Sequence, residues 1–109
     1  MASKTEGINN MGWVCNECNA LRKQKVQKAI AGYSLSSFIG QYVKIAFETG
    51  NDMADTEHMW VEIEGISDNG KLSGKLANEP QFCKSLSYGD PINVALEDIE
   101  DVFVEGRTI

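Results

Sequence analysis

Residues 58–78 constrain the fold more than any other stretch, because apolar and polar side chains alternate on both sides of a turn signal. Met59, Val61 and Ile63 alternate with Trp60, Glu62 and Glu64, the two-residue period of a half-buried strand. Asp68-Asn69-Gly70-Lys71 follows. Asn and Gly both tolerate positive φ, so a primed tight turn is expected there. Leu72, Gly74 and Leu76 then alternate with Ser73, Lys75 and Ala77. Such a hairpin gives its aliphatic face to a core and leaves Trp60 on the other face as a surface anchor.

The flanking segments extend the pattern. Val43, Ile45 and Phe47 alternate with Tyr42, Lys44, Ala46 and Glu48, and Ile92, Val94 and Leu96 form a further alternating run. A single helical turn is expected over residues 96–100 and a short last strand over 102–105. Residues 49–57 read as a polar, acidic loop, Asn78-Glu79-Pro80 as a strand breaker and Tyr88-Gly89-Asp90-Pro91 as a turn. Upstream, Val26, Ala29, Ile30 and Tyr33 make one stripe on a helix of about residues 19–31, with Arg22, Lys23, Lys25 and Lys28 opposite and Gly32 as a left-handed stop. Ser34 or Ser36 opens a short second turn that Gly40 ends.

These elements predict an α+β, mainly β fold. Its small, strongly bent antiparallel sheet of about five strands is SH3-like, a partly open barrel, with an N-terminal amphipathic helix over one open side. A flatter sandwich of one helix on a meander is the alternative. Either way Val43, Ile45, Phe47, Met59, Val61, Ile63, Leu72, Leu76, Ile92, Val94 and Val102 face inward. Residues 1–12 are expected to be a disordered leader and 13–109 one domain, divided into a knuckle and helix (13–33) and a sheet (41–105).

With 109 residues the chain suffices for one modest core. No apolar run approaches the ~20 residues that span a bilayer, so no membrane segment is expected. Three cysteines, an odd number, argue against a secreted disulfide framework, and a cytoplasmic location is expected. Residues 1–47 carry six basic and two acidic side chains, whereas residues 48–109 carry four basic and fourteen acidic ones. An acidic sheet repels a phosphate backbone, so nucleic acid is not an expected partner.

Glu57-His58-Met59-Trp60-Val61, residues 74–80 (Gly-Lys-Leu-Ala-Asn-Glu-Pro), Tyr88-Gly89-Asp90-Pro91 and residues 98–101 (Asp-Ile-Glu-Asp) stand in an order and spacing that resembles a family of uncharacterised bacterial domains, the domain of unknown function number 2314. Residues 40–47 also look like the strand that opens that domain, and the likeness covers about residues 26–105. The resemblance brings no activity and no catalytic residue. It implies a setting near toxin-immunity and other conflict systems of bacteria and their viruses. Residues 11–25 are not part of the family pattern.

Cys15-Asn-Glu-Cys18 is the strongest chemical motif, because Cys-x-x-Cys lets two thiolates converge on one tetrahedral metal. A structural zinc needs four ligands. Cys15, Cys18, Cys83 and His58 make a Cys₃His set if the knuckle packs on the sheet; two chains sharing Cys15 and Cys18 make a Cys₄ site and a homodimer. Two free reduced thiols fit the same residues. Redox catalysis lacks the surrounding βαβ pattern. His58 is the single histidine, and a cysteine–histidine pair without an oxyanion or orienting motif does not make an enzyme.

Trp60 and Tyr42 share the face opposite the aliphatic residues, with Lys44, His58, Glu62, Ser73 and Lys75 alongside. Aromatic rings among mixed charges suit a recognition patch. The competing reading has the stripe of Val26, Ile30 and Tyr33 packing on Trp60, which moves the ligand surface to loop 49–57 and the turns at 78–91. Glu97-Asp98 and Glu100-Asp101 read as a solvated edge, lacking the order of a calcium loop. The expected function is a non-enzymatic binding module, an intracellular immunity or anti-defence inhibitor acting by stoichiometric protein–protein contact. A small-ligand binder with a pocket lined by Tyr42, Trp60 and Lys44, and a zinc-assembled structural adaptor, are the alternatives.

Overall fold

The alternating segments pair into one antiparallel sheet, because each buries its aliphatic face only against its neighbours. The computed structural model describes the backbone of residues 13–14, 20–51, 54–104 and 107–108, and the side chains of residues 21–50 and 56–103. In chain order these are β1 (Trp13–Val14), α1 (Ala20–Ile30), a 3-10 turn (Leu35–Phe38), β2 (Tyr42–Asn51), β3 (Ala54–Ile66), β4 (Leu72–Leu76), β5 (Pro91–Val94), a second 3-10 turn (Leu96–Asp98), β6 (Asp101–Val104) and β7 (Arg107–Thr108). The sheet order is β5-β4-β3-β2-β6-β7, with β1 beside β2. The fold is therefore α+β and mainly β: a meander from β2 to β5 whose next strand, β6, returns beside the first. The expected leader, residues 1–12, lies outside the described residues.

All eleven positions expected to face inward are buried, none more than 2% exposed. Register explains this: Val43 pairs with both Val61 and Val102, and Ile45 with Met59, so one face is aliphatic across three strands. Helix α1 covers that face through Val26 and Ile30, and Phe38, Leu86 and Ile99 complete the core. The covering stripe is not the expected one. Ala29 and Tyr33 are exposed, and Lys23, assigned to the polar side, is 6% exposed. The helix is rotated toward the second 3-10 turn, where Gln27 Nε2 donates to Leu96 O at 2.6 Å and Arg22 pairs with Asp101.

Three local expectations are corrected. Gly32 does not adopt the left-handed conformation; the helix instead closes with Tyr33 N–H on Ile30 O at 2.9 Å. The hairpin turn is centred on Asp68-Asn69, with Gly70 N–H on Ser67 O at 3.0 Å and Gly70 itself at φ 82°. That is the longer loop with a left-handed glycine after the turn, not the two-residue primed turn. Residues 49–51 and 54–57 are strand, not loop, since β2 runs to Asn51 and β3 begins at Ala54, with Glu48 opposite Thr56 and Asn51 opposite Ala54. At Gly74 the chains approach closely, and a Cβ would sit 2.1 Å from Glu62 O, so any side chain there forces β3 and β4 apart.

Candidate functional site

The face of the sheet opposite the core is set by the same register. Tyr42 lies opposite Glu62 and Phe103, Lys44 opposite Trp60 and Asp101, and Ala46 opposite His58. Because alternation is unbroken along this part of β2 and β3, Tyr42, Lys44, Trp60, His58 and Glu62 share one face, and Lys75 joins them opposite Glu62 on β4. Ser73, two positions before Lys75 on β4, shares its face, so all seven residues expected on this face are brought together. Helix α1 lies over the other face, so the packing of its stripe on Trp60 is not what the structure has.

Phe103 from β6 is the member that the sequence reasoning missed. Its ring meets Trp60 at 5.8 Å and 67°, and Tyr42 at 6.5 Å and 80°. With Ala77 just beyond β4, the three rings line an open pocket of about 350 Å³. The alternation that puts Val102 inward puts Phe103 outward, and this was the available signal. Trp60 is held by its backbone, which donates to Asn78 Oδ1 and accepts from Ala77 N–H at 2.9 Å. The turn after β4 thereby fixes the pocket wall.

Charge surrounds the rings. The Lys44 ammonium stands over the Trp60 ring, 5.0 Å from its centroid. Lys75 Nζ lies 3.9 Å from Glu62 and 3.5 Å from Glu64. Farther along the face, His58 Nδ1 meets Glu100 Oε1 at 2.8 Å, and Glu100 N–H donates to Lys44 O at 2.9 Å. Glu100 is 1% exposed, and its Oε2 has no hydrogen-bond partner. Ala46 is fully buried at this end of the face.

The acid run at 97–101 is therefore a solvated edge only at Glu97, which is exposed. Glu100 is buried, and Asp101 is paired with Arg22. Burial raises the Asp98 carboxyl above its ordinary range, against the pull of the nearby Lys23 ammonium. Spacing alone did not reveal this, because the 3-10 turn folds the run back over the sheet.

Glu57 occupies a different role. Its carboxylate accepts backbone N–H groups from Gln81 at 2.6 Å, Phe82 at 2.9 Å and Cys83 at 2.9 Å. Desolvation raises this carboxyl, but the three donors and the charge of Lys84 outweigh it and hold it below the ordinary range. The residue is a clamp on the segment after β4, not a free surface acid.

Of the zinc set, Cys15 and Cys18 lie outside the described residues. Cys83 is a free thiol sealed in the core, and burial pushes its pKa up. His58 is engaged by Glu100. Among the described residues no three His, Cys, Asp or Glu side chains converge to hold a metal. No described helix is long and apolar enough to cross a membrane.

No curated protein and no solved structure matches the chain. A family model described as an uncharacterized protein conserved in bacteria, DUF2314, matches residues 23–108. The chain belongs to this family, and the match takes in the helix from Lys23 onward, strands β2 to β7 and every residue of the aromatic face.

Proposed function

We propose that this member of the family is a non-enzymatic binding module that docks a protein partner, in the manner of an immunity or anti-defence inhibitor, through the face bearing Tyr42, Trp60 and Phe103. The observation that carries the reading is the pocket of about 350 Å³ that these rings line with Ala77, on the sheet face away from the helix. Rigid aromatic side chains bury much area at little entropic cost, which is why they dominate protein interfaces. Lys44, Glu62 and Lys75 border the rings and supply the polar rim that such a patch requires. The acidic surplus of residues 48–109 suits a basic partner surface.

The test is a comparison of wild type with Trp60→Ala, first by capture from bacterial cells and then with the purified partner by calorimetry. A complex of fixed stoichiometry is expected, weakened by about 2 kcal/mol or more in the variant. Equal affinities for the two proteins, with the variant folded, end the reading. A second reading, a small-ligand binder, is favoured by the pocket volume, which lies within the range of small-molecule sites. Native mass spectrometry of protein taken from cells separates the two, since a retained small mass belongs only to the second.

A further inference from the structure

We infer that the pocket between Tyr42, Trp60 and Phe103 receives a cationic side chain of the protein partner, held over the ring faces. The inference rests on the docking reading above and specifies what enters the pocket. Phe103 meets Trp60 at 67° and Tyr42 at 80°, both edge contacts, so the three rings line one open space without stacking flat on one another. Ring faces carry negative quadrupole potential, so a face turned to this space favours a positive guest. Ala77 adds a small apolar wall, leaving room for an ammonium or guanidinium group.

Two further observations point to charge instead of mere apolarity. Lys44 already places its ammonium 5.0 Å from the Trp60 centroid, so this indole holds a cation within its own chain. Glu62, opposite Tyr42 in the register, keeps a carboxylate at the rim, and its ion pair with Lys75 is long, at 3.9 Å. The surplus of ten negative charges over residues 48–109 brings a basic partner toward the molecule. An aliphatic guest fits the same volume but makes no use of these features.

The experiment titrates the full chain with choline and with its uncharged carbon isostere, 3,3-dimethyl-1-butanol. Both are followed by the indole N–H resonance of Trp60, assigned by Trp60→Phe. Saturable choline binding is expected, about three-fold tighter than the isostere, the difference an open cation–π site gives. Phe103→Leu and Ala77→Leu, one removing a wall and the other filling the space, should each abolish it. Lys44→Met removes a competing positive charge and should tighten choline several-fold. Equal affinity for choline and the isostere, or saturable binding of neither, overturns the inference. If choline fails while Trp60→Ala still weakens the protein complex, only the cationic guest is lost. If choline binds while the complex ignores Trp60→Ala, the docking reading is the one that falls.

Discussion

Glu100 is placed at a cost in desolvation. A carboxylate at 1% exposure keeps one oxygen on His58 Nδ1 and the other without a hydrogen-bond partner. Buried charge is tolerated only when its partners remain, so His58 is a structural requirement even though it lies on the proposed docking face. His58→Ala is expected to destabilise the fold by about 1–3 kcal/mol, the range for a buried polar group left unpaired. The imidazole is 38% exposed, which keeps the expected loss below that of a fully buried ion pair. Urea unfolding of His58→Ala, Glu100→Gln and the double variant provides the check. The single effects should not add, because removing the charge at position 100 removes the reason His58 is needed. Additive losses instead mean that the two side chains do not act as a pair.

Strand β3 grips residues 81–83 through one side chain, Glu57. Glu57 accepts three successive backbone N–H groups from residues 81–83, which tie the irregular chain after β4 back onto the sheet. Its carboxyl lies below the ordinary range when folded, so the clamp contributes fully above the unfolded-state pKa. The contribution is lost as pH falls through the lower folded value. Glu57→Gln is therefore expected to cost about 1–3 kcal/mol at neutral pH and progressively less in acid, measured by denaturant unfolding across pH. A difference that stays constant from neutral pH to below the folded value rules out the charged clamp. The same contrast decides what was legible in the sequence. Two-residue alternation places Val43, Val61 and Trp60 on their faces without reference to the rest of the chain, and so the core and most of the aromatic patch could be read directly. Lys23 was misassigned because helix periodicity leaves rotation to be fixed by partners, here the Leu96 carbonyl and Asp101. Glu57 and Glu100 were misread because an acid's role depends on which distant backbone or histidine folds against it. Phe103 was in reach, since Val102 fixed its face, but only the pairing of β6 with β2 brings it to Tyr42.

Across the whole molecule the acidic surplus lies in the second half of the chain, with fourteen acids in residues 48–109 against four bases, whereas four of the ten basic side chains cluster on helix α1. Such a surplus acts at distances beyond contact, guiding a basic partner before the rings engage. Salt shortens that reach to about 8 Å at physiological ionic strength. The association rate with the partner is therefore expected to fall about ten-fold or more from low to physiological salt, while dissociation changes little. Trp60→Ala should do the reverse, raising the dissociation rate and leaving the salt slope of association as it was, because the indole acts only once the surfaces touch. Stopped-flow mixing of the purified pair at several salt concentrations resolves both rates. An association rate indifferent to salt means that the charge of the sheet serves solubility and not encounter, and the aromatic face must then find its partner unaided.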